Sequence, residues 1–326
     1  LRYGQDAVDA PRTFTDDAER TVSVPQEPRR LFAAGAPAEV LLYTLAPERL
    51  VGRNHAPSEA ALAYMPPELR NPVLIRELPN RDNAEADGEL LALMPDLYVD
   101  YGTVDADYVG SLEAVQARTG VPAVILDGAL EQIPNVYRRL GDLLGASSRG
   151  EELARETERV LGKYRGILAT NGTAPRVYLA CAQNGLVPCL AGHSFGEAAE
   201  WLGAVNVAGS VETAPRRPAT LAEIEAWDPE AVIAPSAEGR DRLLADPAWQ
   251  ELRAVREHRV HAAPTLPFNW GPRPPSVNRM LGLVWLAYVI PNRELDDGFY
   301  ADIQSLFATY YHVEVAKADI DRLLAP

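Results

Sequence analysis

The chain has 326 residues, 47% hydrophobic and 24% charged, an ordinary balance for a folded protein whose core is large enough to need no staples. Its 46 acidic against 31 basic residues leave a formal charge of −15, which excludes a general nucleic-acid binder, because such binding works by neutralising phosphates with Lys and Arg. No run of about 20 apolar residues is present, so no spanning helix is expected; no leader is visible either, although the chain starts at Leu1 and not at Met, which leaves a mature form open.

Residues 13–24, TFTDDAERTVSV, alternate around a turn cluster and predict a small hairpin. A strand over 30–34, a helix over 37–45 and a strand over 50–52 follow. A helix over 88–94 leads through Pro95-Asp96 into a strand at 97–99, then come a helix over 108–118 and a strand over 121–126. Strand alternating with helix predicts an α/β sheet. A helix over 132–144 precedes a longer one over 151–168, with Ser147-Ser148 offering an N-cap and Asn171-Gly172 an end.

A second α/β block begins with strands at 176–182 and 186–191 and a helix at 196–202. A helix over 221–227, a strand over 231–234 and a strand over 259–263 come next, then an apolar helix over 276–290 and a helical tail over 298–324. GELLALMPDLYV at 88–99 and AEIEAWDPEAVI at 222–233 share one pattern of short helix, Pro hinge and apolar strand. The two halves therefore read as two copies of one architecture.

The two cysteines lie in CAQNGLVPC, where Asn184-Gly185 signals a hairpin turn. A loop over 184–186 would set Cys181 directly opposite Cys189, as a disulfide or as two free thiols. The spacing excludes a zinc site.

The order and spacing of several pieces resemble the substrate-binding proteins of bacterial ABC importers for iron-siderophore, haem, cobalamin and related chelates. RTFTDDAERTVSVPQEPRRLFAAG looks like that family's N-terminal hairpin and first strand, and ELLALMPDLYVDYG and EIEAWDPEAVIAP look like its repeated helix-Pro-acid-strand element. WQELRAVREHRVHAAP, PFNWGPRPPSVNRMLGLVWLA and the tail LFATYYHVEVAKADIDRLL are similar to later parts of it. The resemblance implies two Rossmann-like α/β lobes, over 13–146 and 171–326, joined by one long helix over 147–170, with the ligand in the cleft between them. It implies a monomeric periplasmic or lipid-anchored protein that binds a metal chelate or an oxyanion, uses no cofactor, catalyses nothing and docks on a membrane permease.

Loops after strands carry the candidate ligand-binding residues. These are His55, Arg81, Tyr101, His193, Ser194, Asn269, Trp270 and Arg273. Trp270, on a loop stiffened by prolines, offers a flat face, and Arg273 a forked donor for an oxyanion. Arg53, Arg81, Arg273 and His193 in an acidic chain point to an anionic ligand. The family's permease-docking glutamates are expected at 88 and 222, which are Gly88 and Ala222; Glu89 and Glu223 each sit one residue later. One residue turns a helical side chain by about 100°.

A different class competes. Gly192-His193-Ser194-Phe195-Gly196 is a G-x-S-x-G motif, and Asp228 or Asp246 with His258 or His261 could complete the triad of an α/β-hydrolase-type esterase or thioesterase. Against it, the strand before the motif belongs to the cysteine hairpin, whereas a nucleophile elbow needs a central parallel strand. His258 and His261 would point to opposite faces of a strand and make a poor metal pair; His55 with His193 could hold a metal only if they met across the cleft. The absence of a P-loop or G-x-G-x-x-G removes the usual marks of nucleotide chemistry.

Overall fold

The computed structural model describes residues 10–325 apart from 54–55, 71–72, 76–77, 81, 170–171, 193–194 and 216. The chain divides into two compact units: residues up to Glu156 together with Thr309–Val313, and Thr157–Ala308 together with the residues from Glu314 onward. It is an α/β protein with two parallel sheets.

In the first unit the predicted hairpin forms as β1 (Arg12–Thr15) and β2 (Thr21–Val24), antiparallel, with Thr15 opposite Thr21. Asp16 fastens its turn by accepting from the N–H groups of Ala18 and Arg20 and from the Arg20 guanidinium. The parallel sheet runs β3 (Leu31–Ala33), β4 (Leu97–Gly102), β5 (Ala123–Asp127). The strand expected at 50–52 is not a strand. The chain there follows the free side of β3 through single bridges, Leu31 with Leu50 and then Arg53 with Leu74. The unit's helices are α1 (Ala36–Leu45), α2 (Glu59–Leu62), α3 (Asp87–Ala92), α4 (Ala106–Thr119) and α5 (Ile133–Leu143); α1, α4 and α5 pack on this sheet, and α3 packs on α4. Asp105 caps α4 by accepting from Asp107 and Tyr108, and Gly120 ends it at φ 71°. Phe32, Tyr98, Ile125, Leu90 and Leu112 form the core on one face.

Helix α6 (Ser147–Tyr164) contributes residues to both units. It starts at Ser147, so both serines lie in its first turn and not ahead of it.

The second unit holds β6 (Arg176–Leu179), β7 (Val205–Asn206), β8 (Ala231–Ala234) and β9 (Val260–Ala262), all parallel in the order β7-β6-β8-β9. Its helices are α7 (Gly196–Trp201), α8 (Leu221–Trp227), α9 (Ala237–Ala245), α10 (Arg253–Arg256), α11 (Arg279–Val289), α12 (Asp297–Tyr311) and α13 (Lys317–Leu324); α12 ends among residues of the first unit. Residues 186–191 form no strand, only the bridges Ala180 to Pro188 and Ala191 to Ser210. After its first residue, Arg279, which pairs with Glu197, helix α11 is apolar all round and buried, as a core helix must be. It can approach the loop before it because residue 282 is glycine: a Cβ there would meet the Trp270 carbonyl oxygen at 1.9 Å.

The repeated element is real in backbone detail. Met94 and Asp228, each just before the hinge proline, have φ of 47° and 43°. The acid after each proline then clamps the start of the neighbouring strand: Asp96 accepts from the N–H groups of Arg29 and Arg30, and Glu230 from that of Arg176. Among the described residues no helix is long and apolar enough to cross a membrane.

Candidate functional site

In an open parallel sheet, ligands bind outside the carboxyl ends of the strands where the chain reverses its direction of travel across the sheet. Each sheet here has such a point. After β3 the chain moves to Leu50 on one side, whereas β4 and β5 lie on the other. After β6 it moves to β7 on one side, whereas β8 and β9 lie on the other. The loops following β3 and β4, and those following β6 and β8, are therefore the places to look.

In the first unit the Tyr101 ring is buried, at 1% exposure, so it is a wall of the unit rather than an open face. Its neighbour Asp100 is half-buried at the end of β4, and burial raises its carboxyl above the ordinary range against the lowering effect of the Tyr101 N–H. Gly102 has φ 154°, and a Cβ at Gly128 would meet the Gly102 Cα at 2.8 Å, so the ends of β4 and β5 approach as only glycines allow. Tyr108, in the first turn of α4, is 51% exposed. Sequence reasoning missed Asp100 and Tyr108. It ended β4 at Val99 and began the helix at Tyr108, two residues later than the structure does, and offered neither residue to a ligand.

Arg53 is not available as a free cation. Its guanidinium lies 2.6 Å from Glu39 and is 7% exposed, so the charge expected for a ligand is already balanced within the unit. His55 and Arg81 lie outside the described residues, as do His193 and Ser194.

In the second unit three post-strand loops are tied together. The disulfide Cys181–Cys189 forms, with Cα atoms 5.2 Å apart. Its register differs from the expected one: Ala180 pairs with Pro188 and the Cys181 N–H donates to Val187, so the two cysteines meet on a diagonal. The turn centres on Asn184, whose side-chain oxygen accepts from Leu186 N–H. The Ser236 hydroxyl after β8 donates to Gln183 after β6 at 2.8 Å. Asn269, after β9, donates to the Pro235 carbonyl at 2.9 Å and accepts from the Gly271 N–H at 2.6 Å. Asn269 is thus a structural tie, not a free amide.

Trp270 is the main correction. Its ring has no exposed surface, its N–H donates to the Leu266 carbonyl at 2.9 Å, and it packs edge-on against Phe307 at 6.2 Å. The ring is core, because the loop folds back on itself: the Trp270 backbone N–H donates to Pro264, and Asn278 caps the Pro274 carbonyl. Both Leu266-Pro267 and Arg273-Pro274 are cis. Arg273, three residues on, is exposed, and among the described residues it makes no ion pair.

Glu223 is engaged at the start of α8. It accepts from the Arg217 guanidinium at 2.6 and 2.9 Å and forms a capping box with Thr220, and the Arg217 hydrogen bond leads in holding its carboxyl down at about 2. Glu89 is half-exposed in the first turn of α3, beside the ion pair of Asp87 with Arg118 at 2.6 Å. Among the described residues no group of three His, Cys, Asp or Glu side chains could hold a metal ion.

A family model described as "Periplasmic binding protein" matches residues 33–265. The chain belongs to the periplasmic binding protein family. Solved periplasmic binding proteins share its fold. A solute-binding protein of an ABC transporter from Sulfurospirillum deleyianum superposes with a TM-score of 0.83 at 22% identity, over 96% of this chain and 98% of that one. A molybdate-binding periplasmic protein of Haemophilus influenzae gives 0.72 at 19% identity, over 94% and 99%. The vitamin B12-binding protein of Vibrio cholerae gives 0.60 at 18%, over 81% and 97%. No curated protein matches the chain. Membership of a binding family decides against the hydrolase. The backbone agrees, since residues 186–191 ahead of the G-x-S-x-G motif hold only single bridges and not a central parallel strand.

Proposed function

We propose that this periplasmic binding protein is the solute-binding component of an ABC importer, that it works outside the cytoplasmic membrane, and that its ligand is an anionic metal chelate or a small oxyanion. In each unit the residues proposed to bind the ligand lie on loops at the carboxyl end of its parallel sheet. The observation that carries the reading is the pair of reversal points, one in each parallel sheet, in a chain of this family.

Arg273 is the residue assigned to the anion, because it is exposed beside the loops after β8 and β9 and pairs with no described carboxylate. His55, Arg81, His193 and Ser194 complete the proposed set. Tyr101, Asn269 and Trp270 support the loops from behind. With Trp270 inside the core, its ring is not offered to a macrocycle, which favours an oxyanion or a compact anionic chelate over a haem or corrinoid stacked on it. Glu89 and Glu223 remain the candidate permease contacts; Glu223 would have to exchange Arg217 for an arginine of the partner.

Titration of intrinsic tryptophan fluorescence with ferric siderophores, haem, cobalamin, molybdate and tungstate tests the reading. A saturable change with an anionic member is expected. Silence across the set, together with ester hydrolysis that is lost in Ser194→Ala, would overturn it.

A further inference from the structure

Strand β9 is an edge strand: β8 is its one partner among the described residues. Beside it, wholly within the second unit, lies a cavity of about 330 Å³. Its apolar wall is Trp285 and Val289 on the last turns of α11. Its polar groups come from separate elements: Arg240 from α9, His261 from β9, Thr265 after β9, and Arg293 just after α11.

The charge of this lining runs against that of the chain. The protein carries 46 acidic and 31 basic residues, yet two arginines and no carboxylate line the cavity among the described residues. Each arginine does have an acidic neighbour. Arg240 bonds Asp241 at 2.7 Å, and Arg293 lies 3.5 Å from Asp296 and over the Tyr288 ring at 4.7 Å. Both aspartates are more than half exposed, so these pairs are screened and contribute little, and each guanidinium keeps donors to spare. His261 adds an unfinished polar wall: its buried Nε2 has no hydrogen-bond partner among the described residues. Buried polar atoms are nearly always satisfied, so such an atom calls for a partner from outside the chain. Burial, then the charge of Arg259, holds this imidazole neutral by pulling its pKa down to about 4.

We propose that this cavity is a second binding site, for a small organic anion: a carboxylate attached to an apolar body that lies on Trp285 and Val289, its charge shared by Arg240 and Arg293. The volume is at the low end for ligand pockets, which suits a molecule of one ring or a short chain. The site shares no residue with the proposed importer site and does not depend on that reading.

The probes are benzoate and hexanoate, with benzyl alcohol and hexanol as neutral counterparts, followed by NMR at the Thr265 methyl and the His261 ring of the full chain. Benzoate or hexanoate is expected to shift both signals saturably, with a dissociation constant of roughly 1 mM or tighter, whereas the alcohols bind at least about tenfold more weakly. Arg240→Gln with Arg293→Gln should weaken the carboxylate by about tenfold or more at an unchanged melting temperature. Thr265→Trp, which fills the mouth from an exposed position, should abolish the shift at His261. No shift with either carboxylate, equal binding of the alcohols, or binding undiminished in the double variant would each overturn the proposal. Molybdate or a siderophore bound at the proposed importer site is expected to leave the His261 ring signal unmoved, so the two sites are read apart.

Discussion

The Tyr164 hydroxyl, at the end of α6, donates to the Asp302 carboxylate of α12 at 2.6 Å. Asp302 is 3% exposed and also accepts from Lys163 at 2.5 Å and Arg159 at 2.7 Å. Burial pushes its carboxyl up, but the three donors together carry it below the ordinary range. Removing the charge strands Lys163 and Arg159 against an uncharged amide. Asp302→Asn is therefore expected to cost about 2–3 kcal/mol, read from the urea midpoint. A change below the error of that measurement would show that the network is replaced by water.

The disulfide closes a short loop, Cys181 to Cys189, at the end of β6. Cross-linking a loop of this length removes about 2–3 kcal/mol worth of unfolded-chain freedom. Cys181→Ser with Cys189→Ser should lower the melting temperature correspondingly and loosen the Ser236–Gln183 tie, seen as faster amide exchange at 182–188. Unchanged exchange would place the rigidity of this loop in its backbone hydrogen bonds instead.

His261 makes stability depend on pH with a definite sign. Its folded pKa, about 4, lies below its ordinary 6.5, chiefly through burial. Between those values the unfolded chain binds a proton that the folded chain refuses. This contribution is full above pH 6.5 and is lost as the pH falls toward about 4. His261→Gln should flatten the fall in stability across that window when denaturation is measured pH by pH. The same slope in the variant would place the effect elsewhere.

Trp270 and Arg273 should now separate. Trp270→Ala empties a fully buried site and is expected to cost about 3–5 kcal/mol. Arg273→Ala removes an exposed side chain and should change stability by less than about 0.5 kcal/mol. It should weaken an anionic ligand by about tenfold or more. Unaltered affinity in Arg273→Ala would remove this loop from the binding site.

Glycine at 282 is set by a close approach. An added Cβ would meet the Trp270 carbonyl oxygen at 1.9 Å and the Phe195 ring at 3.0 Å. Gly282→Ala should destabilise by about 1–3 kcal/mol, the scale of overpacking, despite alanine's better helix propensity. A more stable variant would show that the loop can retreat from α11.

By itself the sequence determined what depends on near neighbours along the chain. The alternation of strand and helix, the hairpin around Asp16, the helix-Pro-acid-strand element in both halves and the turn at Asn184-Gly185 were all legible, because periodicity, proline and glycine act within a few residues. Where a side chain ends up is another matter. A loop rich in proline reads the same whether its tryptophan faces out or in; the return of that loop onto α11 decided that Trp270 is core. Arg53 and Glu39 are too far apart in sequence for the pattern to reveal that they cancel, whereas the capping box of Glu223 with Thr220 is legible locally, as a threonine with a glutamate three residues on. The cavity beside β9 draws on four separate elements, and no local pattern announces it. Its arginines acquire a common purpose only through packing, since charge and shape at a site are sums over residues that the fold alone brings together.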